Sequence, residues 1–205
     1  MEQVIPFKSA SQAIEKLDNG GEFYNIFTQA DDDLISQSEV SKVAGARLEK
    51  QKAVLFLKLA MANLTPREQQ EIEGRFDDKL SDNFNKYNPE NLIAIDDIES
   101  IKPGTGVLIN GIPRKIEGEG VVSGYMSIAV IDVFTLIPIS ETYTVYEIKD
   151  ENSGKSILVA HDKDAGILPE LKLKIAGVVK QFQLAQDQES EFEKFIEVDY
   201  FSETE

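Results

Sequence analysis
The chain has 205 residues, enough for one large domain or two small ones that bury a core without covalent staples. Its 21 basic and 37 acidic side chains give a formal net charge of -16, a field that repels phosphate backbones and makes nucleic acid a poor partner. With no cysteine and one histidine, disulfide frameworks, zinc fingers, thiol nucleophiles and histidine-rich metal clusters are excluded.

The start, Met1 to Pro6, lacks a basic segment followed by an apolar run, and no later run approaches the eighteen or so uncharged apolar residues of a membrane span. A cytoplasmic protein without a membrane segment is the expectation. Ala13, Ile14 and Leu17 then share one helical face, and Asn19-Gly20-Gly21 stops that helix. A second short amphipathic piece uses Phe23, Ile26 and Phe27. Ser36 and Glu39 fit a capping box ahead of Val40, Val43 and Ala44 at helical spacing.

From Glu49 to Asn63 the run Ala53, Val54, Leu55, Phe56, Leu57, Leu59, Ala60, Met61 is apolar nearly all round, as the central helix of a small bundle should be. Thr65-Pro66-Arg67-Glu68 supplies a second capping box with proline in the first turn, and Ile72, Phe76, Leu80 and Phe84 follow at four-residue intervals, predicting one helix with one buried stripe. Asn88-Pro89 is a turn signal. The helical half therefore ends near Glu90 with net charge -5, leaving -11 for the remainder.

The second half reads as strands. Val107 to Asn110, a long glycine-punctuated stretch from Lys115 to Ile139, Tyr143 to Lys149, Ser156 to Ala160, Leu171 to Val179 and Phe195 to Phe201 all alternate or carry β-branched residues. Glu151-Asn152-Ser153-Gly154 makes a hairpin turn. The glycines at 118, 120 and 124 are the kind that let a strand bend into a small barrel. The fold class is thus α+β, with an N-terminal helical bundle over residues 1–90 and an antiparallel β-barrel over 91–205.

With Lys115 to Val122 first, the Tyr143 to Val159 hairpin second and third, Leu171 to Val179 fourth and Phe195 to Phe201 fifth, the strand order resembles an OB-fold. Glu119-Gly120-Val121-Val122 and Ala176-Gly177-Val178-Val179 are similar to the central glycines of that family's first and fourth strands. The family's helix between strands three and four is missing, because Asp162 to Pro169 has room for one turn. Another small barrel or an open antiparallel sheet satisfies the same pattern.

The resemblance implies a ligand face on strands two and three. Tyr143, Val145, Glu147 and Lys149 share one parity, and across the hairpin Lys155, Ile157, Val159 and His161 share one parity; nucleic-acid binders of this type stack bases on such aromatics in a basic groove. One tyrosine and two lysines beside Glu147 are equally what a half-buried hairpin displays. Lys172, Lys174 and Lys180 form a basic strip, yet Glu197 and Asp199 on the neighbouring strand make them ordinary cross-strand ion pairs.

Phe27 to Glu39 resembles a degenerate EF-hand or the helix-loop-helix of tellurite-resistance-type helical domains. With Ile35 at the eighth position, Asp32 falls at the fifth and Glu39 at the twelfth, making these two the candidate metal ligands. Thr28 and Ala30 then occupy the first and third positions, where alanine has no side-chain oxygen, and Asp33 stands where glycine permits the sharp turn. Negative charge near a helix N-terminus explains the same acids without a metal.

No catalytic set converges in the sequence. A triad has only His161 to use, Asp96-Asp97 and Glu117 with Glu119 are carboxylates among many, and Gly104-Thr105-Gly106 and Gly118-Glu119-Gly120 lack a phosphate-cradle context. The expectation is a non-enzymatic binding or interaction module without a cofactor, its partner a protein or small ligand. A calcium-responsive protein, a hydrolase working through His161 and a nucleic-acid-binding OB protein are the rivals.

Overall fold
A computed structural model describes residues 1–18, 32–46, 49–92, 95–116, 120–130, 133–149, 156–182 and 193–204. Strand β1 (Glu2–Gln3) is followed by α1 (Ala10–Asp18), whose buried Ala13 and Leu17 lie on the face the spacing indicates. The Phe23 to Phe27 piece and the first four positions of the EF-hand-like loop, residues 28–31, lie outside the described residues. Helix α2 (Gln37–Val43) begins at the expected capping box: Ser36 Oγ accepts from Glu39 N at 3.3 Å, and Ser36 N donates back to Glu39 Oε2 at 2.8 Å.

Helix α3 (Lys50–Ala60) is buried from Ala53 to Leu57 and again at Leu59 and Ala60, as a run from Ala53 to Ala60 that is apolar except at Lys58 requires. The single helix expected from Thr65 to Phe84 is instead two, α4 (Pro66–Glu73) and α5 (Asp78–Lys86). Three local causes break it. Gly74 caps α4, Phe76 forms a parallel β-bridge with Ile35, and the Asp77 carboxylate accepts from Leu80 N at 2.6 Å to start α5 afresh. The four-residue periodicity survives because Ile72, Leu80 and Phe84 still face one core.

Among the described residues, nine strands form one hydrogen-bonded system. After β2 (Glu90–Leu92) and a 3-10 turn (Ile95–Ser100) come β3 (Gly106–Gly111), β4 (Arg114–Lys115), β5 (Gly120–Val130), β6 (Val133–Lys149), β7 (Ser156–Asp162), β8 (Leu173–Phe182) and β9 (Glu193–Glu203). The path runs β2-β3-β8-β9-β7-β6-β4, with β1 parallel to β9 and β5 antiparallel to β6. Only Ile112 and Pro113 separate β3 from β4, so the path leaves and returns to one stretch of chain, residues 106–115.

That closure corrects the sequence-based strand order. The first strand is residues 106–115, while Gly120 to Val122 belong to β5, one arm of a two-stranded ribbon inserted before the β6–β7 hairpin. Gly120 is therefore not the counterpart of Gly177. The close approach on the first strand is made by Gly111, where a Cβ would collide with the Ile148 side chain; at Gly177 a Cβ would collide with the Glu197 carbonyl. The β6–β7 hairpin pairs as expected from Tyr143↔Asp162 to Lys149↔Ser156, and its turn lies outside the described residues.

Alternate residues of β3, β6, β7, β8 and β9 meet inside. Val107, Ile109, Tyr146, Ile148, Ile157, Val159, Leu173, Ile175, Ile196 and Val198 make this core, which the period-two pattern dictates. A second core lies between the helices and the outer side of β8 and β9, where α3 packs against Ala176 and Tyr200. The Phe56 and Tyr200 rings meet edge to face at 5.9 Å, and Tyr200 Oη donates to Ala44 O at 2.7 Å. Among the described residues no helix is long and apolar enough to cross a membrane.

Candidate functional site
The register divides the expected ligand face. Ile157 and His161 oppose Ile148 and Thr144, which turns them, with Tyr146, into the interior core; Tyr143 and Val145 oppose Asp162 and Ala160 on the other side of the sheet. Two residues on paired strands share a face only when they are cross-strand partners or an even number of places from partners. Lys149 is exposed and paired with Glu147 at 3.4 Å, and Lys155 lies outside the described residues.

His161 is 1% exposed and fully partnered. Tyr146 Oη accepts from Leu168 N at 3.0 Å and lies 3.2 Å from His161 Nε2, while His161 Nδ1 lies 2.7 Å from Asp162 O. A carbonyl only accepts, so Nδ1 carries the proton and Nε2 accepts from the tyrosine hydroxyl. Burial lowers the imidazole pKa and holds it in this neutral form. The ring is a core element, enclosed away from solvent.

Both acids of the EF-hand-like segment accept main-chain hydrogen bonds. Asp32 Oδ1 accepts from Leu34 N at 3.0 Å, and Glu39 Oε2 is held by the α2 capping box. Glu39 is buried, its Oε1 lacks a hydrogen-bond partner among the described residues, and burial, with the charges of Asp18 and Asp32 nearby, raises its pKa against the pull of the Ser36 hydrogen bonds. Among the described residues no three His, Asp or Glu side chains are arranged to hold a metal ion.

A concave site lies elsewhere, where the start of α3 leans over β8 and β9. A cavity of about 590 Å³ is lined by Glu49, Gln51, Lys52, Tyr87, Lys180 and Asp199 among others. Its floor is made by a break in register. Gly177 pairs with Val198 and Ala176 with Tyr200, so Asp199 is the extra residue of a β-bulge. The bulge reverses the parity of β9: Ile196 and Val198 face the interior core, yet Tyr200 faces the helices.

Asp199 retains 10% of its side-chain surface and meets Lys52 Nζ at 3.3 Å; Lys52 also reaches Glu49 at 3.1 Å. Burial raises the Asp199 pKa against the attraction of Lys52. For Lys52, burial lowers the pKa, but Asp199 and Glu49 outweigh it and the net shift is upward. Gln51 Nε2 donates to Gly104 O at 2.9 Å, closing one wall. On the far wall Lys180 pairs with Glu197 Oε2 at 3.1 Å, the ion pair anticipated between the fourth and fifth strands.

Glu197 joins the cleft to what remains of the expected face. Tyr143 Oη donates to Glu197 Oε1 at 3.4 Å, and Tyr143, Val145, Leu158, Ala160 and Phe195 continue as an apolar strip beside it. Lys52, Tyr87 and Gly104 escape pattern reading because no local motif links them to Asp199. The one local hint is the Ala176-Gly177 step, whose missing Cβ lets β9 bulge. No family model matches the chain, and no curated protein matches it. Among solved structures, the N-terminal domain of an archaeal MCM aligns over 93% of this chain and 91% of that one, with 15% identity and a TM-score of 0.39.

Proposed function
We propose that this chain is a non-enzymatic binding module, an OB-like barrel with a helical bundle on one face, that seats a small zwitterionic molecule in the cleft between them. The barrel reading rests on the strand order: the 106–115 segment, the β6–β7 hairpin, β8 and β9, with β7 parallel to β9 and the other contacts antiparallel. The observation that carries the function is the bulged Asp199 at the cleft floor. Bulges cluster beside functional sites because they re-aim a side chain, and this one holds a carboxylate in a partly desolvated position facing a lysine.

Three ammonium groups and three carboxylates line the cavity, so its charge sums near zero within a chain of net charge -16. A ligand with one amine and one carboxylate exchanges internal ion pairs for equivalent external ones, its amine toward Asp199 or Glu197 and its carboxylate toward Lys52 or Lys180. Polyanions are disfavoured by the surrounding field, and His161 is enclosed away from the cleft. Amide shifts of the labelled chain titrated with free amino acids and dipeptides test the reading. Movement at Gln51, Gly104, Val178 and Lys180, weakened in Lys180→Ala, is expected; the reading fails if those amides stay still throughout. A mobility shift with single-stranded oligonucleotide at low salt would replace it with nucleic-acid binding.

A further inference from the structure
Among the described residues, the ribbon inserted before the hairpin ends in a strand paired on one side only. Among the described residues β5 pairs with β6 alone, which leaves the other main-chain edge of Gly120–Val130, eleven residues long, without a strand. Edge strands are ordinarily blunted by a charge, a proline or a bulge. Strand β5 has no charged residue and no proline, and its register with β6 runs without interruption from Gly120↔Tyr143 to Val130↔Val133. From Gly120 to Ser140 the sequence carries one charge, Asp132, in a chain that is 28% charged.

We propose that this edge is a self-association site, in which β5 of one copy pairs antiparallel with β5 of a second copy about a two-fold axis. Charge selects this occupant. Two chains of net charge -16 repel one another over most of their surfaces, and the uncharged ribbon is where they can approach. A basic partner would find no carboxylate on β5 to pair with. An antiparallel edge is also self-complementary, as a two-fold interface must be.

The area sets the strength. Eleven residues at about 3.4 Å each give an edge of about 37 Å, and a sheet about 10 Å thick then buries on the order of 370 Å² per copy. The total lies below the roughly 1,200 Å² of stable complexes, so the dimer is reversible and forms with rising concentration. Because the remaining surface repels, added salt strengthens it.

Sedimentation velocity of the full chain across a concentration series, at low and high salt, tests the proposal. A monomer–dimer equilibrium that tightens with salt is expected, and the double variant Met126→Lys/Ser127→Lys should weaken it about tenfold or more by setting like charges across the axis. A monomer under all conditions overturns the proposal, as does a dimer unaffected by the variant. Binding of the monomer to vesicles of neutral lipid, without dimer, overturns it in favour of a bilayer. Should the variant not fold, amide exchange of the parent decides: protection over residues 120–130 must rise with protein concentration, and protection indifferent to concentration refutes the pairing.

Discussion
Tyr146 and His161 show what one buried hydroxyl does for a core. The tyrosine O–H supplies a donor to a histidine nitrogen and an acceptor to the Leu168 amide, so Tyr146→Phe leaves two buried groups unpaired. A loss of about 1–3 kcal/mol is expected in urea unfolding. The histidine adds a pH dependence. Its folded pKa lies below the ordinary 6.5, so the unfolded chain takes up the proton first; the contribution is present above pH 6.5 and is lost as pH falls through the folded pKa. His161→Asn keeps a donor and an acceptor without a titrating ring, and should flatten the stability profile on the acid side of 6.5. A profile unchanged by the substitution would place the titration elsewhere.

Glu39 has the opposite sign. Its folded pKa is raised above the ordinary 4.5, so folding favours the protonated acid, and that contribution is lost as pH rises through the folded pKa. Gln serves a capping box as Glu does. Glu39→Gln should therefore hold or improve stability at neutral pH and remove a destabilising slope, read from thermal unfolding between pH 4 and 7.

At the scale of elements, caps and glycines decide where helices stop and strands bend. Ser36→Ala removes the side chain that begins α2 and should cost about 1 kcal/mol, measured by urea titration. Gly177→Ala is more severe, because the new Cβ meets the Glu197 backbone, which belongs to the adjoining strand and cannot rotate aside. The bulge at Asp199 must then shift, and both the ion pair to Lys52 and the parity of Tyr200 go with it. The expected outcome is a large loss of stability together with loss of any ligand response at Gln51 and Lys180.

Across the whole molecule the helices and the sheet share a core. Tyr200 and Ala176 from the sheet pack among helical residues, β1 adds the chain's first residues to β9, and Val4 N donates to Phe201 O at 2.7 Å. One cooperative unfolding transition seen alike by near- and far-ultraviolet circular dichroism is expected. Lys52 ties the two layers electrostatically, and Lys52→Met should destabilise by less than the ~3 kcal/mol typical of a fully buried pair, since 38% of the lysine side chain is exposed. Two separated transitions would show that the layers fold independently.

Local chemistry made much of this protein legible from its residues. Ser36 with Glu39 and Thr65 with Glu68 specify helix starts because a cap is satisfied within four residues, and Tyr143 to Lys149 against Ser156 to Ala160 reads as a hairpin because alternation and a turn are neighbours in sequence. The break at Gly74 to Asp77 was hidden by a periodicity that two helices facing one core preserve as well as one. What only the tertiary structure decided was non-local: that residues 106–115 close the sheet, that His161 faces inward while Tyr143 faces outward, and that a one-residue bulge brings Asp199 under Lys52. Parity along a strand is written in its sequence, but which face is the interior depends on register with strands far along the chain, and register is set by packing that no single segment contains.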